Sequence, residues 1–265
     1  MSPQETEPCP LGLCDGSGFI VDEETNTARD CGCRASRIAR RQSTRLKARI
    51  PKRYRGVSLD RPPVPGMSEP VVTTVRQYVR NISANLHNGR GLWWVGDVGT
   101  GKTTLAMIVS KAALESGHTA AIYSLPRLLQ VLRDEIRSEE GMATLLDRLT
   151  TVDLLHIDDL GSPGLTGWAL EQFYLIVDAR YQAHRAIIAT TNLWPDDLAR
   201  QLAGMGPDGG PAGREDPVGV SSDRATEQMG KQIVSRLIEI CGDPLPLFGD
   251  DKRREFRQHE PATVA

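Results

Sequence analysis

The chain has 265 residues, of which 39% are hydrophobic, and its 34 acidic residues nearly balance 32 Lys and Arg to give a formal net charge of −2. This balance excludes a uniformly basic nucleic-acid-binding protein, and no apolar run approaches the ~20 residues that a membrane-spanning helix needs. The acidic, Pro-rich N-terminus lacks the apolar core of a signal peptide. We therefore expect a cytoplasmic protein without membrane contact, built as one domain of about 200 residues with an appendage.

Four of the five cysteines lie in the first 33 residues, as a C-x4-C pair and a C-x-C pair that are sixteen residues apart. In a reducing compartment such cysteines indicate metal binding or free thiols rather than disulfides. Four thiolates suit tetrahedral Zn²⁺, and so small a segment would take its folding energy from the metal. The pattern predicts a zinc site with a small hairpin between the two pairs; four reduced cysteines in a disordered arm are the alternative. The ligands would be Cys9, Cys14, Cys31 and Cys33, whereas Cys241 is expected to pack as a small apolar group.

A strongly basic segment follows the cysteines, with ten cations and no acid between residues 34 and 55. Residues 34–49 contain no Gly or Pro, which predicts a basic helix that ends before Pro51. Such a surface attracts phosphate backbones or an acidic partner, and a solvated linker helix is the alternative. The Pro-rich stretch at 60–66 predicts a stiff linker. The ten cations are Arg34, Arg37, Arg40, Arg41, Arg45, Lys47, Arg49, Lys52, Arg53 and Arg55.

A glycine-rich stretch farther along fits the phosphate-binding pattern G-x-x-x-x-G-K-[ST]. Apolar spacing predicts a helix over 69–88, a buried strand over 92–95 and a helix over 102–115, so the motif stands between a strand and a helix as it requires. Its glycines let the backbone approach a polyphosphate, at which backbone N–H groups then point. Lys102 would reach the β- and γ-phosphates, and the Thr103 hydroxyl would bind Mg²⁺. The stretch consists of Gly96, Asp97, Val98, Gly99, Thr100, Gly101, Lys102, Thr103 and Thr104.

A second chemical motif is the mostly apolar strand predicted over 152–160, which ends in Asp158-Asp159. A parallel strand delivers the residues at its C-terminal end to a ligand crevice. Asp158 would therefore hold Mg²⁺, and Asp159 would orient the attacking water or accept its proton; a strand that merely ends in a polar turn is the alternative. His156, in mid-strand, is expected to be a packed core histidine. Between the two motifs, the sequence predicts a strand over 119–125, an amphipathic helix over 126–137 and a short helix over 141–149.

A third polar strand end follows a helix predicted over 166–184. The strand predicted over 186–192 is apolar and ends in Thr-Thr-Asn, so that Asn192 could hydrogen-bond a γ-phosphate or the lytic water. The Gly/Pro-rich stretch at 204–220 predicts a flexible surface insertion. The remaining predicted elements are a helix over 227–241, a short edge strand over 245–248 and a frayed, charged tail over 250–265.

Taken together, the segments Gly96–Thr103, Leu154–Asp159, Thr190–Asn192 and Ser235–Leu237 resemble an AAA+ ATPase. More narrowly, they resemble the bacterial and phage helicase-loader family of the DnaC/DnaI type, which is related to the IstB transposition helper ATPases. The Asp-Asp ending and the compact Ser-Arg-Leu before a short terminal strand favour this family. The cysteines followed by a basic segment are similar to the zinc-bearing N-terminal regions of some loaders.

The resemblance implies an α/β P-loop NTPase fold of the AAA+ type, a parallel five-stranded sheet with helices on both faces, and ATP sites that are completed between subunits. It makes Lys102 and Thr103 the phosphate and Mg²⁺ residues, Asp158 and Asp159 the acidic pair, and Asn192 the sensor. The resemblance also makes Arg236 the finger that enters the neighbouring subunit's site and neutralises charge on the transferring phosphoryl group. A surface salt bridge is the alternative for Arg236.

The implied function is that of an ATP hydrolase that loads the replicative hexameric DNA helicase onto single-stranded DNA during replication initiation or restart. It would self-associate into a nucleotide-dependent oligomer. An IstB-like transposition helper that binds DNA and a transposase is one alternative, and a non-enzymatic adaptor switched by nucleotide is another. No lid domain is predicted after Phe248, which agrees with loaders rather than with initiators.

The predicted organisation has four parts. Residues 1–33 form the cysteine-rich, zinc-binding segment, and residues 34–66 form the basic helix and Pro-rich linker. Residues 67–250 form the AAA+ ATPase domain with its insertion at 204–220, and residues 251–265 form the charged tail.

Overall fold

The computed structural model describes residues 9–22, 27–34, 50–135, 139–161, 165, 167–205 and 224–252. The chain forms two compact units, Met1–Lys47 and Ala48–Ala265. Most of the predicted basic helix, most of the Gly/Pro-rich insertion and the tail beyond Lys252 lie outside the described residues. Within the described ranges, no helix combines the length and the apolar character that crossing a bilayer requires.

The smaller unit contains a two-stranded antiparallel hairpin of β1 (Phe19–Asp22) and β2 (Thr27–Asp30). Its register pairs Phe19 with Asp30, and one more backbone hydrogen bond, from Cys31 N–H to Gly18 O at 2.9 Å, extends the ladder. The predicted hairpin is therefore confirmed. Because its strands are antiparallel, the chain segments on either side of the hairpin return to the same end of it, and these segments carry the two cysteine pairs.

The larger unit is built on a parallel sheet of five strands in the order β4-β5-β6-β3-β7. Every residue of β3 and β6 is buried. Successive side chains of a strand point to opposite faces, so both faces of these central strands are covered. The predicted α/β fold is thereby confirmed. The strands are β3 (Leu92–Gly96), β4 (Ala120–Ser124), β5 (Leu154–Leu160), β6 (Ala186–Thr191) and β7 (Leu245–Leu247).

The helices follow the predictions except at two places. The helix predicted over 69–88 is wrong as a single element, since Asn81 has φ −108° and ψ 27° and separates two helices. A helix that was not predicted follows β6, although Pro195 and two aspartates in its first turn are helix-start signals. The helices are α1 (Glu69–Arg80), α2 (Ile82–His87), α3 (Lys102–Glu115), α4 (Leu125–Glu135), α5 (Glu139–Thr151), α6 (Gly167–Gln182), α7 (Pro195–Leu202) and α8 (Arg224–Cys241).

Residues 50–66 pack on the larger unit. Short 3-10 turns span Lys52–Tyr54 and Val64–Gly66, and Val57 and Val64 are buried in the same apolar cluster as α1 and α3. Val64 is only 1% exposed, although it lies in the stretch predicted as a stiff linker. The apolar contacts of the two valines outweigh the local preference of a Pro-rich chain for an open, extended linker. The segment reaches the edge of the sheet that carries the glycine-rich stretch, where Arg53, Tyr54 and Pro63 lie near Gly99 and Lys102.

The fully buried Arg180 of α6 fixes where two strands begin. Its guanidinium donates to the carbonyl oxygens of Leu149, Val152 and Ala186 at 2.7, 2.9 and 2.6 Å. Burial, assisted by Arg185, lowers the pKa of Arg180 to about 9, so it remains charged at pH 7. These bonds connect the end of α5 and the starts of β5 and β6 to one side chain. They thereby align β5 and β6, which carry polar residues at their C-terminal ends.

Two smaller predictions about the core are confirmed. His156 is fully buried, its Nδ1 lies 2.9 Å from Ser110 Oγ, and burial lowers its pKa to about 4, so the ring is neutral at pH 7. Cys241 is buried, and its thiol donates to the Ile187 carbonyl oxygen at 3.3 Å. Both side chains serve packing between the sheet and its helices.

Candidate nucleotide-binding site

The glycine-rich stretch forms a loop between the C-terminal end of β3 and the first turn of α3. Lys102 Nζ donates to the carbonyl oxygens of Gly96 and Asp97 at 2.8 and 2.6 Å, which folds the lysine back over the loop. The Thr100 hydroxyl donates to the Asp97 carbonyl at 2.9 Å. No acidic residue stands in the first turn of α3 to offset the positive end of the helix dipole. The loop therefore has the backbone and charge of an anion-binding site.

Two glycines of the loop lie against the C-terminal part of the chain. A Cβ on Gly96 would be 1.7 Å from the Leu247 carbonyl oxygen, and a Cβ on Gly99 would be 2.2 Å from Asp251 Oδ1. The obstacle at Gly96 is backbone of the neighbouring strand β7, so no side chain can be accommodated there. This glycine is thus required by sheet packing as well as by any approach to phosphate.

The carboxylate of Asp158 connects the loop helix to two strands. Thr103, in the first turn of α3, donates its hydroxyl to Asp158 Oδ1 at 2.9 Å, and Thr190 of β6 donates to the same oxygen at 2.6 Å. Asp158 stands near the C-terminal end of β5. Its Oδ1 is thus an oxygen acceptor held in place from both sides, immediately beside the phosphate-binding loop.

Asp159 adopts an unusual backbone conformation. Its φ is +61°, in the left-handed region that residues with a Cβ rarely occupy, and the register of β5 against β6 is irregular between Ile157 and Leu160. The Asp159 N–H donates to Thr190 Oγ1 at 2.9 Å. One buried hydroxyl therefore accepts from the backbone of Asp159 while donating to the side chain of Asp158. Strain of this kind concentrates at functional sites.

These groups surround a cavity of about 580 Å³. The cavity brings together the loop, both aspartates and Asn192, which follows the last residue of β6. The predicted phosphate, acidic and sensor residues thus lie in one place. Its wall also contains Thr190 and Thr191 of the predicted Thr-Thr-Asn segment, and four residues outside the predicted motifs, namely Arg53, Tyr54, Pro63 and Lys252.

Arg236 does not lie in this cavity. It stands on α8, where its Nη2 forms an ion pair with Asp178 Oδ1 of α6 at 2.8 Å, and its guanidinium lies 4.6 Å from the ring centroid of Tyr174. Its side chain is 18% exposed. Among the described residues, no acceptor bonds to its Nη1. Within one chain, Arg236 is therefore separate from the residues that it is expected to assist.

The four N-terminal cysteines converge in the smaller unit. Their sulfur atoms all lie within 4.8 Å of one another, with Cys9 and Cys31 3.8 Å apart and Cys14 and Cys33 3.6 Å apart. Four sulfurs at about 2.3 Å from a tetrahedral Zn²⁺ would be about 3.8 Å apart. All four cysteines are free thiols rather than disulfides. The donor set and its spacing fit one zinc ion.

Sequence reasoning included Thr190 in the Thr190–Asn192 segment without assigning it a role, and it missed Lys252 as a member of the cavity. For Thr190 a signal existed. Its hydroxyl lies two residues before Asn192, on the strand next to the one that carries the acidic pair, and is therefore placed to reach that pair. Lys252 gave no such signal, since it falls in a stretch predicted to fray. It lies at the cavity because β7 is parallel to β3, so residues after β7 emerge beside the phosphate-binding loop.

The double role of Thr190 generates a testable prediction. Replacement by Val keeps the shape but removes the donor to Asp158 and the acceptor for Asp159 N–H. We expect Thr190→Val to lower ATP turnover about tenfold or more, because it leaves the partly buried Asp159 N–H without its Thr190 acceptor. ATP affinity should change little. Steady-state hydrolysis and equilibrium nucleotide binding measure the two effects. Thr190→Ser, which keeps the hydroxyl, should stay near wild type; equal defects in Val and Ser variants would contradict the role.

Comparison with known proteins agrees with this geometry. Residues 71–201 match the family model described as IstB-like ATP binding protein. The insertion-sequence ATP-binding protein y4uH of Sinorhizobium fredii is 26% identical over 186 residues, which cover 68% of this chain and 74% of that protein. The replicative helicase loader DnaC of Escherichia coli K12 is 27% identical over 132 residues, or 49% of this chain and 53% of the loader, so that match spans about half of the relative's length.

A solved structure extends the likeness to the fold. The crystal structure of the DnaC helicase loader aligns with a TM-score of 0.57 and 25% sequence identity, covering 76% of this chain and 100% of that chain. A parallel five-stranded sheet, the glycine loop after β3 and the acidic pair near the C-terminal end of β5 accompany these matches. Residues 71–201 therefore form an IstB-like ATP-binding domain, and the chain is similar to AAA+ ATPases that include the DnaC and DnaI helicase loaders.

Proposed function

We propose that this chain is an ATP-dependent loader that puts the replicative hexameric helicase onto single-stranded DNA in the cytoplasm, during replication initiation or restart. The observation that carries the proposal is the fold match to the DnaC helicase loader, which extends over that entire chain. A loader needs one part that binds nucleotide and another that holds the helicase. The two compact units of this chain provide a candidate for each.

In this proposal the cavity binds ATP and Mg²⁺. Lys102 and the loop N–H groups bind the phosphates, and the hydroxyl of Thr103 and carboxylate of Asp158 hold the metal. Hydroxyl and carboxylate oxygens are ligands that Mg²⁺ prefers. Bound Mg²⁺ would neutralise charge that develops on the phosphates. Asp159 orients the attacking water or accepts its proton, and Asn192 contacts the γ-phosphate or that water.

The smaller unit is proposed to bind one Zn²⁺ and to hold the helicase. Zinc would fix the two cysteine pairs and thereby the hairpin between them, because a unit of this size has little core of its own. Among its described residues, the unit exposes the apolar side chains of Leu11, Leu13 and Val21, at 55%, 58% and 63%. Exposed apolar side chains on so small a unit favour a protein partner. The basic segment after them would supply salt-sensitive contacts to DNA phosphates or to the helicase.

Zinc binding is tested by metal analysis of the purified full-length chain. We expect about one zinc ion per chain, the number that one four-thiolate site holds. The double variant Cys31→Ser and Cys33→Ser should contain almost none. Cys241→Ser, which alters a thiol outside the cluster, is the matched control and should keep its zinc. Absence of zinc from the wild type, or equal zinc in the double variant and the control, would contradict the site.

Arg236 is proposed to act in the ATP site of a neighbouring subunit. The support is its position outside the cavity of its own chain, together with a side chain that remains 18% exposed. An arginine supplied in trans would couple ATP hydrolysis to assembly of the oligomer. Such an oligomer must form before activity appears.

This assignment predicts complementation between two inactive variants. Lys102→Ala removes the phosphate-binding cation, and Arg236→Ala should lower hydrolysis by about 1,000-fold or more, as for other arginine fingers. Mixing them should restore part of the single-stranded-DNA-stimulated ATPase activity, because Arg236 of one subunit completes the intact site of the other. Full activity of Arg236→Ala alone, or no recovery on mixing, would contradict the finger.

A matched control separates catalysis from packing. Asp178→Asn breaks the ion pair that holds Arg236 but leaves the arginine in place. If Arg236 matters only as the partner of Asp178, both substitutions should reduce hydrolysis and thermal stability together. If it is the finger, Asp178→Asn should retain most of the activity that Arg236→Ala loses.

The loading function itself is tested with the replicative helicase from the same organism. We expect the chain to bind the helicase and to increase its unwinding of a forked duplex whose single strands are coated with single-strand-binding protein. Lys102→Ala should still bind helicase yet fail to promote unwinding. The double variant Leu11→Ser and Leu13→Ser should lose helicase binding while its ATP turnover is unchanged. Absence of helicase binding by the wild type would refute the proposal.

The alternative with its own support is an IstB-like transposition helper. The family model over residues 71–201 and the match to y4uH favour it. Under this alternative the protein would bind double-stranded DNA with ATP and stimulate the transposase of a neighbouring gene, without effect on the helicase. A non-enzymatic adaptor would instead show very slow hydrolysis that neither DNA nor Asp159→Asn changes.

A further inference from the structure

The segment that follows β7 lies against the phosphate-binding loop and reaches the nucleotide-binding cavity at Lys252. We call residues 248–252 the C-terminal strap. Phe248 stacks on Trp194, which follows β6, with ring centroids 5.8 Å apart. Gly249 N–H donates to Asp97 Oδ2 at 3.3 Å, and Lys252 N–H donates to the Gly99 carbonyl oxygen at 2.9 Å. The strap is therefore attached to the phosphate-binding loop twice and once to the segment that carries Asn192.

These attachments fix the backbone position of one cationic residue, Lys252. Lys252 lines the cavity together with Lys102 and Arg53. Its Nζ stands near Gly66, since a Cβ built on Gly66 would lie 3.7 Å from it. The neighbouring carboxylate of Asp251 packs beside Gly99. The backbone bond from Lys252 to Gly99 holds the Cα of the lysine beside the loop whatever rotamer its side chain adopts.

We propose that Lys252 binds the polyphosphate of the nucleotide held by the same chain, as a second phosphate-binding lysine supplied from the C-terminal strap. The inference rests on the nucleotide-binding role proposed for the cavity. A lysine is a mobile point charge on a long stem, so a side chain that begins at the loop reaches phosphate oxygens by a change of rotamer. Because the strap is already attached to the loop, little additional order is needed when the lysine engages the nucleotide.

The chemical consequence is a contact that depends on the charge of the ligand. Lys252 should add affinity for ATP and ADP, whose phosphates are highly charged, and none for adenosine. The contact should weaken as salt rises, because it is a charge-assisted hydrogen bond near the surface. If Lys252 only anchors the strap, its main-chain bond to Gly99 suffices and the side chain contributes nothing to affinity.

The test uses equilibrium binding of a fluorescent ATP analogue to the full-length protein. Lys252→Met keeps the side-chain length and the backbone bond but removes the charge. It should bind ATP about tenfold or more weakly, as expected for the loss of one charge-assisted contact. Lys252→Arg should bind within about threefold of the wild type, because it restores the cation. The matched control is Lys231→Met, which alters an exposed lysine paired with Glu227 on α8 and should bind as the wild type does.

The outcomes separate this inference from the proposed function. If the wild type binds ATP, Lys102→Ala does not, and Lys252→Met binds as the wild type does, only the role of Lys252 is overturned. If the wild type fails to bind ATP, both proposals fall. A loss of affinity in Lys252→Met that Lys252→Arg rescues, with unchanged thermal unfolding and unchanged adenosine binding, supports the phosphate contact. A loss of ATP affinity that Lys252→Arg does not rescue and that salt does not change would mean that Lys252 has a structural role, and it would overturn the inference.

Discussion

The carboxylate of Asp158 is the group on which the arrangement of the cavity depends. It accepts hydroxyl hydrogen bonds from Thr103 in the loop helix and from Thr190 in the neighbouring strand. Each hydroxyl has one proton, so both donors are committed to Asp158 and Thr190 is left to accept from Asp159 N–H. A shift in the first turn of α3 would therefore be transmitted to Asp158, to Thr190 and to the backbone of Asp159. The first turn of the loop helix and the acidic pair are thus connected through two threonines.

The second constraint is the close contact between β3 and β7. The Leu247 carbonyl oxygen occupies the space that a side chain on Gly96 would need. The residue at which β3 passes into the loop must therefore be glycine, whatever ligand the loop binds. The same pairing directs the chain after β7 across the loop, since parallel strands end at the same edge of a sheet. The C-terminal part of the chain thus becomes a wall of the cavity through sheet topology.

The sequence allowed most of the fold and the core of the site to be predicted, because both depend on local patterns. The glycine loop with Lys102 and Thr103 has fixed spacing, and Asp158 and Asn192 follow apolar strands, so the rule for parallel strand ends was enough to bring them together. Thr190, Arg180 and Lys252 could not be predicted in the same way. Their roles depend on which strands are neighbours and on bonds between distant residues, such as Lys252 to Gly99. The break at Asn81 shows that apolar spacing alone does not locate a helix end.

The contacts of Arg236 bear on whether it can act on another subunit. Its ion pair with Asp178 is largely shielded from solvent, with side-chain exposures of 18% and 29%, so a change of partner that left Asp178 unpaired would carry a cost. The cation–π contact with Tyr174 further holds the guanidinium in place. An arginine finger lowers the barrier to phosphoryl transfer by about 4–7 kcal/mol. Because that effect acts on the transition state, it does not by itself move Arg236 away from Asp178, and contacts formed when subunits meet would have to replace the pair that is lost.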